Sequence, residues 1–465
     1  MPPEAKNRRS LGSTKRRTMS YAGCDRRRSG AKGSLAKRRV NLKSVTSGAM
    51  SVLASALEAK AMKMLRTAGL SLLVLMAAMP SPAAGASDGV KIGILTDMSG
   101  FVADISGTGS VVAATMAVED FGGSVLGKPV TIVSGDHQNK PDVGAVVTGR
   151  WLDNEDVDAV ADVPTSSVGL AVQALTRTKN KMFLNSAGSS GDFTSKVCSP
   201  LASQWNIDTY TVANGITRRL VERGDKNWFF LTADYTFGKS LETDAIAAIT
   251  KGGGKVLGVV RHPLNTQDFS SFLLQAQAKS PQVVGLANGA GDTIRSIQQA
   301  REFGLISDKS KVAAFILHAT NVHALGLEAA QGTLVMDAFY WDSNVETRGW
   351  SKHFMERNKG VAPSAVHASA YSAVLHYLKA IQAAGTKDAN VVAAKMKEMK
   401  INDALIKDGS IREDGRVIRD YYLLEVKKPS ESKYAWDYFK VIDVVPGLQV
   451  TRSLEEGDCP LVAKK

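Results

Sequence analysis

The chain has 465 residues and a formal net charge of +13, from 58 lysines and arginines against 45 aspartates and glutamates. Residues 1–86 hold 17 basic and 3 acidic residues, which leaves 41 basic and 42 acidic residues, a net charge of −1, for residues 87–465. The positive charge belongs to the N-terminal part, so the rest of the chain gives no reason to expect nucleic acid or another polyanion as a partner.

Residues 62–86 have the pattern of a secretory signal peptide. Lys63 and Arg66 precede an almost wholly apolar run at 68–79, and the small residues at 84–86 supply the A-x-A spacing of a cleavage site. The apolar run is well short of the ~20 residues that cross a membrane. A buried helix is the alternative interpretation. We predict a cleavable signal, cut near Ala86, and a periplasmic protein.

Residues 1–61 form a basic leader with fifteen lysines and arginines and three acidic residues. By composition alone, the leader could be a nucleic-acid-binding arm. A signal peptide, however, has to lie at the start of the nascent chain. We therefore interpret the leader as an over-extended start and predict that translation begins at Met62 or Met64. The 379 residues from 87 to 465 are enough for two domains of ~100–200 residues each.

From Val90 onward, apolar runs of strand length alternate with helical patterns. The first series contains the runs "VKIGIL", "PVTIVSGD", "VDAVADVP" and "KMFLNSAG". These strands are apolar on both faces, which is typical of a parallel sheet covered by helices. The series predicts a doubly wound α/β lobe.

A second series begins after Tyr210 and predicts a second lobe. Its strands are "NWFFLTAD", "KVLGVVRHP", "QVVGLANG" and "KVAAFILHAT", and a long helical region follows at 345–399. Two further strand-like runs, "RDYYLLEVKK" and "DYFKVIDVV", come near the end of the sequence. These late segments are too short for a third lobe, so we expect the chain to cross between the two lobes more than once.

The motifs of common catalytic sites are incomplete. "GTGSVV" at 107–112 lacks the third glycine of a dinucleotide loop, and "KGGGK" at 251–255 follows a helix where a phosphate loop follows a strand. "GSSGD" is not a G-x-S-x-G nucleophile motif, and the histidines have no metal-binding spacing. We predict no enzyme, no catalytic residue, no cofactor and no metal site.

Small and hydroxylated residues follow the predicted strands of the first lobe. The loops are "TDMSG", which contains Met98 and Ser99, "VPTSSVG" at 163–169 and "NSAGSSG" at 185–191. In a parallel sheet such loops line the ligand crevice. We expect the last two loops each to open a helix, whose backbone N–H groups can bind a carboxylate. Plain capping of these helices by Thr165, Ser166 or Ser190 is the alternative.

The second lobe contributes the loops "ADYTFG", "ANGAGDT" and "HATN" at the corresponding strand ends. Tyr235 and Phe237 lie in the first of them, and Tyr340 and Trp341 end a later strand. These rings could form an aromatic surface for a solute, or they could belong to the core.

From Val90 to its end, the chain resembles the branched-chain amino acid (Leu/Ile/Val-binding) family, the periplasmic solute-binding proteins of ABC transporters. The resemblance lies in "KIGILTDMSG", "AVEDFGGSVLGKPV", "TADYTFGKSLETDA", "HPLNTQDFSSFLLQAQAKSPQVVGLAN" and "AYSAVLHYLKAIQAAGTKDANVV", in this order. It implies the type I periplasmic-binding fold, in which two Rossmann-like lobes are joined by a multi-crossing hinge. We expect lobe one at 87–208 and 338–420, and lobe two at 209–337 and 421–465.

The resemblance also implies the ligand contacts. By position they fall on Thr165, Ser166, Gly188, Ser189, Ser190, Phe237, Asn288, Gly289 and Asp292. The loops at the strand ends add Met98, Ser99, Tyr235, Tyr340 and Trp341 as candidates, which makes fourteen residues in all. Amino-acid binders of the family use an acidic side chain of lobe two to pair with the ammonium group, and the "HATN" region has none. Asp292 is a substitute, or else it caps its helix. The expected solute is thus a small carboxylate, either an amino acid or an aromatic acid without an amine.

The resemblance implies an ABC transporter membrane permease as partner, and we expect a monomer. The alternative is a regulator or receptor domain of the same fold that senses an amide or amino acid. Cys24 lies in the leader, and Cys198 and Cys459 remain as an even pair in an oxidising compartment. This favours a disulfide between them, and two buried free thiols are the alternative.

Overall fold

The computed structural model describes residues 89–307 and 310–462. The basic leader and the signal peptide that we predict lie outside the described residues. Within the described part, no helix combines the length and apolar character that crossing a bilayer requires.

The first lobe is built on a six-stranded sheet with the order β2-β3-β1-β4-β5-β6. All neighbours pair in parallel except the short β2, which forms a hairpin with β3. Strands β1, β4 and β5 are apolar and buried on both faces, as the sequence predicts. The strands are β1 (Val90–Thr96), β2 (Ser124–Val125), β3 (Lys128–Asp136), β4 (Ala159–Asp162), β5 (Met182–Asn185) and β6 (Ala202–Gln204).

Helices cover both faces of this sheet, and three of them come from late in the chain. They are α1 (Gly107–Phe121), α2 (Pro141–Asn154), α3 (Ser166–Thr178), α10 (Val345–Arg357), α11 (Ala365–Ala384) and α12 (Ala389–Glu398). Helix α11 packs along α1 and is buried along nearly its whole length. On the other face, the ring of Trp151 lies so close to β1 that a Cβ on Gly93 would come within 2.6 Å of it. Only glycine allows this approach.

The second lobe has a four-stranded parallel sheet with the order β10-β9-β7-β8. Its strands are β7 (Asn227–Ala233), β8 (Lys255–His262), β9 (Val283–Ala287) and β10 (Lys311–Ala314). Its helices are α4 (Thr209–Glu222), α5 (Thr236–Lys251), α6 (Ser270–Gln277), α7 (Ala290–Glu302), α8 (Ala319–Leu325) and α9 (Leu327–Ala330). The strand predicted from "KVAAFILHAT" ends at Ala314, and Phe315 instead stacks on Trp228 and Phe230 in the core.

A separate antiparallel sheet, β11-β14-β15, completes the second lobe. The remaining elements are β11 (Leu334–Asp337), β12 (Ser410–Ile411), β13 (Val417–Ile418), β14 (Tyr421–Val426), β15 (Phe439–Val445) and α13 (Gly447–Val450), with 3₁₀ turns at Gly191–Thr194 and Pro429–Glu431. The arrangement is that of the type I periplasmic-binding fold, as the sequence predicts.

Arg416 holds the hinge between the lobes together. The chain crosses after β6, after β11 and after β13, and the guanidinium of Arg416 is buried between the first and third crossings. Its Nη1 donates to the carbonyl of Asn206 at 2.7 Å and lies 3.5 Å from the carboxylate of Asp208, while Nη2 donates to the hydroxyl of Tyr421. The side chain of Arg416 therefore joins the first and the third of the three crossings.

The end of the described chain is fastened to both lobes. Cys459 forms a disulfide with Cys198 of lobe one, with 5.6 Å between the two Cα atoms. Arg452 forms an ion pair of 2.6 Å with Asp244 on α5 and lies 4.5 Å from the ring centroid of Tyr210. Residues 452–459 thus bridge the two lobes beside the hinge.

Candidate functional site

The carboxyl ends of the strands of both lobes meet at an interlobe crevice, which is closed in this structure. On one side the hydroxyl oxygens of Ser190 and Ser240 are 2.8 Å apart. On the other, Asn321 Nδ2 donates to Asp104 Oδ2 at 3.2 Å. Between these contacts, Val102 and Ile105 of lobe one pack on Ala290 of lobe two. The two polar contacts mark the borders of the candidate site.

The loop after β1 is shaped by Asp97. Its carboxylate accepts hydrogen bonds from the backbone N–H groups of Gly100, at 2.7 Å, and Val102, at 3.1 Å. Met98 is half-buried and donates its N–H to Asp136 at 3.4 Å, whereas Ser99 is exposed. Of the two residues predicted here, Met98 is held in place and Ser99 faces solvent.

Thr165 and Ser166 lie at the start of α3, where the sequence predicts a helix N-terminus. Thr165 occupies the N-cap position without capping the helix through its side chain. Its hydroxyl instead donates to Asn139, whose Nδ2 donates to Asp97 Oδ2 at 2.7 Å. The hydroxyl of Ser166 accepts a bond of 3.2 Å from the N–H of Ser190. Neither hydroxyl caps the helix. The bond between Ser166 and Ser190 joins the two serine-rich loops directly.

The loop at 185–190 is closed by the side chain of Asn185. Its Oδ1 accepts from the N–H groups of Ala187, at 3.3 Å, and Gly188, at 2.7 Å, and its Nδ2 donates to the carbonyl of Gly188 at 2.9 Å. Ser189 is buried, and its hydroxyl donates to Ala187 at 3.1 Å. In this conformation the N–H groups of Gly188 and Ser190 are engaged within lobe one.

The helix predicted after this loop is wrong. Residues 191–194 form a 3₁₀ turn of four residues, which Ser190 caps through a bond from the N–H of Asp192 at 3.2 Å. Gln204 Nε2 donates a hydrogen bond of 3.2 Å to the carbonyl of Ser190. After the turn, the chain leads to Cys198 and its disulfide. Because so short a turn aligns few peptide dipoles, the loop at 163–169 opens a helix whose N-terminus can bind an anion, and the loop at 185–191 does not.

In lobe two, the structure brings Phe237 and Gly289 together. Phe237 is buried at the start of α5, with its ring centroid 5.8 Å from that of Tyr235. A Cβ on Gly289 would lie 3.9 Å from the Phe237 ring, so the two residues are neighbours. Tyr235, Phe237 and Gly289 therefore form one patch at the ends of β7 and β9.

Asn288 and Asp292 use their polar atoms inside lobe two. Asn288 Nδ2 donates to Ser296 at 3.1 Å, and its Oδ1 accepts from Thr293 at 2.9 Å. The carboxylate of Asp292 binds Arg295 at 2.9 Å and the N–H of Asn265 at 3.0 Å. These bonds favour the structural role for Asp292 over a contact with an ammonium group.

Tyr340 and Trp341 belong to a different aromatic group from Phe237. Trp341 packs edge-on against Tyr434, at 6.3 Å between centroids, and its Nε1 donates to the carbonyl of Trp436 at 2.9 Å. Tyr340 packs edge-on against Phe439 at 5.7 Å. The two residues thus anchor the antiparallel sheet. The alternative interpretation of these rings as core residues fits their contacts.

A buried pair of ionisable side chains at the crevice, His318 and Asp337, is not predicted from the sequence. His318 Nδ1 lies 3.0 Å from Asp337 Oδ2, and both residues are buried. Burial alone would lower the pKa of His318, but the carboxylates of Asp337 and of Asp104 across the crevice raise it above its ordinary value. Burial raises the pKa of Asp104. The "HATN" loop therefore contributes a histidine that faces an acid of each lobe, Asp337 of lobe two and Asp104 of lobe one.

No local signal could have revealed this pair. His318 is 19 residues from Asp337, and the loop of Asn321 is 217 residues from Asp104. Such spacings correspond to no motif, and only the folded hinge brings the three segments together.

Comparisons with known proteins agree with this architecture. The sequence profile of the family described as "Periplasmic binding protein" matches residues 89–433. A "Leu/Ile/Val-binding protein homolog 6" of Brucella melitensis is 25% identical over 358 residues, which cover 75% of this chain and 90% of that protein.

Two solved structures are more similar in sequence. A periplasmic binding protein from Burkholderia mallei is 46% identical with a TM-score of 0.79, over 81% of this chain and 100% of that one. A "branched chain amino acid ABC transporter periplasmic ligand-binding protein" from Burkholderia xenovorans is 37% identical with a TM-score of 0.73, over 80% of this chain and 99% of that one.

Proposed function

This chain belongs to the periplasmic binding proteins of the ABC transporter type, and we propose that it binds a small carboxylated solute between its lobes and delivers it to a membrane permease. Family membership implies a periplasmic location and a solute-binding protein, not an enzyme. The segment at 62–86 would supply the export signal. The protein isolated from the periplasm should then begin near residue 87, and peptides from residues upstream of Met62 in the cellular protein would refute the proposed start.

The observation that carries the proposal is the junction of Ser166 and Ser190. The bond between them joins the loops after β4 and β5, and Ser190 also meets Ser240 of lobe two. A solute carboxylate at this junction would have the N-terminus of the 13-residue helix α3 and several hydroxyl groups within reach. The candidates for these contacts are Thr165, Ser166, Gly188, Ser189 and Ser190.

The hinge supplies the proposed mechanism. The solute would bind first to the loops of lobe one, and rotation about the crossings held by Arg416 would bring lobe two onto it. Closure would add the patch of Tyr235, Phe237 and Gly289, together with the Ser240 contact. A micromolar solute needs about −8 kcal/mol, which a few charge-assisted hydrogen bonds and one buried side chain can supply. The permease would recognise the closed form.

Two solute classes fit this patch. The relative from Burkholderia xenovorans is described as a branched-chain amino acid transporter protein. A solute-binding protein from Rhodopseudomonas palustris, 17% identical and similar in fold, is described in complex with benzoate. Phe237 can pack on an aliphatic side chain or on a ring. Asp104 is the acid best placed to meet an ammonium group, and it contacts Asn321 in the closed form.

A thermal-shift screen tests the proposal. The purified protein is heated with L-leucine, L-phenylalanine, benzoate or 4-hydroxybenzoate, and in parallel with leucinamide and benzamide, which lack the carboxylate. A bound solute at a hundredfold over its Kd adds about 2.7 kcal/mol of stability, so at least one carboxylate should raise the melting temperature and its amide should not. Equal shifts with acid and amide, or no shift with any carboxylate, would overturn the proposal.

A pair of variants connects the binding to the junction. Ser166→Ala should lower the affinity for the carboxylate that binds, because the substitution removes the hydrogen bond between Ser166 and Ser190 at the start of α3. Ser99→Ala changes an exposed serine of the neighbouring loop and should leave the affinity within twofold. An unchanged affinity in Ser166→Ala would place the solute elsewhere.

A further inference from the structure

Two consecutive residues at the end of β4 have a backbone conformation that side chains rarely adopt. Asp162 has φ of 78° and Val163 has φ of 64°. Aspartate tolerates the left-handed region, but a β-branched valine there is a strong outlier. Strained backbone of this kind concentrates at functional sites. These two residues lead directly into Thr165 and Ser166 of the proposed site.

The side chain of Asp162 is completely buried beneath this turn. The hydroxyls of Thr96 on β1, Ser110 on α1 and Ser186 after β5 face its carboxyl group. Ser186 Oγ lies 3.3 Å from Asp162 Oδ1, whereas Oδ2 has no hydrogen-bond partner among the described residues. The carboxyl group of Asp162 therefore connects the end of β4 with Ser186, in the loop at 185–190.

Burial raises the pKa of Asp162 to about 7, and the three hydroxyl groups that face its carboxyl group oppose this only in part. The neighbouring carboxylate of Asp97 is directed to its own loop, where it binds Gly100 and Val102. Below neutral pH, Asp162 is thus a carboxylic acid with a proton to donate. Above it, a negative charge would lie beneath the two loops that receive the solute.

We propose that Asp162 is a positioning residue of the solute site, where its buried carboxyl group links the end of β4 to Ser186 and so holds the loops after β4 and β5 in the arrangement that accepts a carboxylate. This inference rests on the proposed function. Asp162 acts through Ser186 and through the turn that places Thr165 and Ser166, and it does not touch the solute. Its ionisation disfavours the bound carboxylate by charge repulsion.

The test is the pH dependence of the Kd for benzoate and for L-leucine between pH 6 and 8.5, where neither probe changes its charge appreciably. Wild-type protein should lose about tenfold in affinity over this range, in line with a carboxyl group that titrates near 7. Asp162→Asn has the same shape, tolerates the left-handed conformation and cannot ionise. It should bind within twofold of wild type at pH 6 and lose less than threefold by pH 8.5.

Three further variants give the controls. Asp162→Ala removes the link to Ser186 and should bind about tenfold more weakly than wild type at pH 6. Because alanine cannot ionise, this variant should lose less than threefold more by pH 8.5. Asp158→Asn changes a buried carboxylate just before β4, at its opposite end, 3.2 Å from Lys387, and should keep the pH dependence of wild type. His318→Asn is measured alongside, because His318 and Asp104 are also ionisable groups at the crevice with shifted pKa values. This variant separates the contribution of the His318–Asp104 pair to the pH dependence from that of Asp162.

The outcomes distinguish the two proposals. If wild-type protein binds no carboxylate, the proposed function fails, and this inference fails with it. If wild-type protein binds but Asp162→Asn keeps the full pH dependence, the role of Asp162 alone is overturned. Wild-type affinity in Asp162→Ala at pH 6 would overturn it as well. Should Asp162→Ala fail to fold, the pH profile of Asp162→Asn decides.

Discussion

The hydroxyl oxygens of Ser190 and Ser240 lie 2.8 Å apart, and the two serines belong to different lobes. Ser190 also lies in the loop proposed to receive the solute, so we expect this contact to contribute to the closed arrangement of the lobes. Removing the hydroxyl of Ser240 should therefore disfavour the closed form and leave lobe one intact.

Ser240→Ala is expected to weaken solute binding by about 0.5–1.5 kcal/mol, the usual contribution of one hydrogen bond. Calorimetry with the carboxylate found in the screen measures this loss of affinity. In kinetic terms, we expect the loss mainly as faster dissociation of the solute. Thr250→Ala, on an exposed turn of the same helix, should have no effect. Equal affinities in all three proteins would mean that the serine contact does not contribute to closure.

Arg416→Met should destabilise the protein by roughly 3–5 kcal/mol, because it leaves the buried carboxylate of Asp208 without its partner. Unfolding in urea measures this change. The control is Arg218→Met, which breaks an exposed pair with Glu222 and should cost less than about 1 kcal/mol. A small effect at Arg416 would show that the hinge does not depend on this side chain.

Phe237→Ala and Trp341→Ala should have different consequences. Phe237 lies in the proposed solute patch, so its loss should weaken benzoate more than L-leucine. Trp341 packs on Tyr434 and donates to Trp436, so its loss should lower the free energy of unfolding by about 3–5 kcal/mol. Affinities for both solutes and urea unfolding curves for both variants test this. A selective loss of benzoate binding in Trp341→Ala alone would reverse the assignment.

The pair of His318 and Asp337 should make stability depend on pH. The pKa of His318 is raised in the folded protein, so the folded state holds this proton more tightly than the unfolded chain. The stabilisation is complete below the ordinary pKa of histidine, 6.5, and is lost as pH rises through the raised value. Asp337→Asn should remove this loss, seen as the difference in melting temperature between the two proteins from pH 6 to 9. Parallel curves for the two proteins would contradict it.

The parallel strands could be predicted because their signal is local. The runs around Ile92, Val160 and Leu184 are apolar on both faces and of strand length, which is typical of strands in a parallel sheet covered by helices. The loops at 163–169 and 185–191 were found for the same reason, since they follow these strands directly.

The sequence could not show what contacts between different elements decide. The helix expected after Ser190 is replaced by a short turn at Gly191–Thr194. There the side chain of Gln204, from β6, donates to the carbonyl of Ser190. The bonds of Asp292 depend on Asn265 and Arg295, and the place of Trp341 depends on Tyr434. Neither Asp104 nor Asp162 stood out, because their importance comes from partners on other elements.

The cross-link between Cys198 and Cys459 has a consequence for biogenesis. The two cysteines are 261 residues apart, so the bond can form only after the intervening polypeptide has been synthesised and translocated. Until then the first thiol stays open to mispairing in an oxidising environment. The cross-link is therefore among the last contacts that can form, and it fixes residue 459 to lobe one covalently.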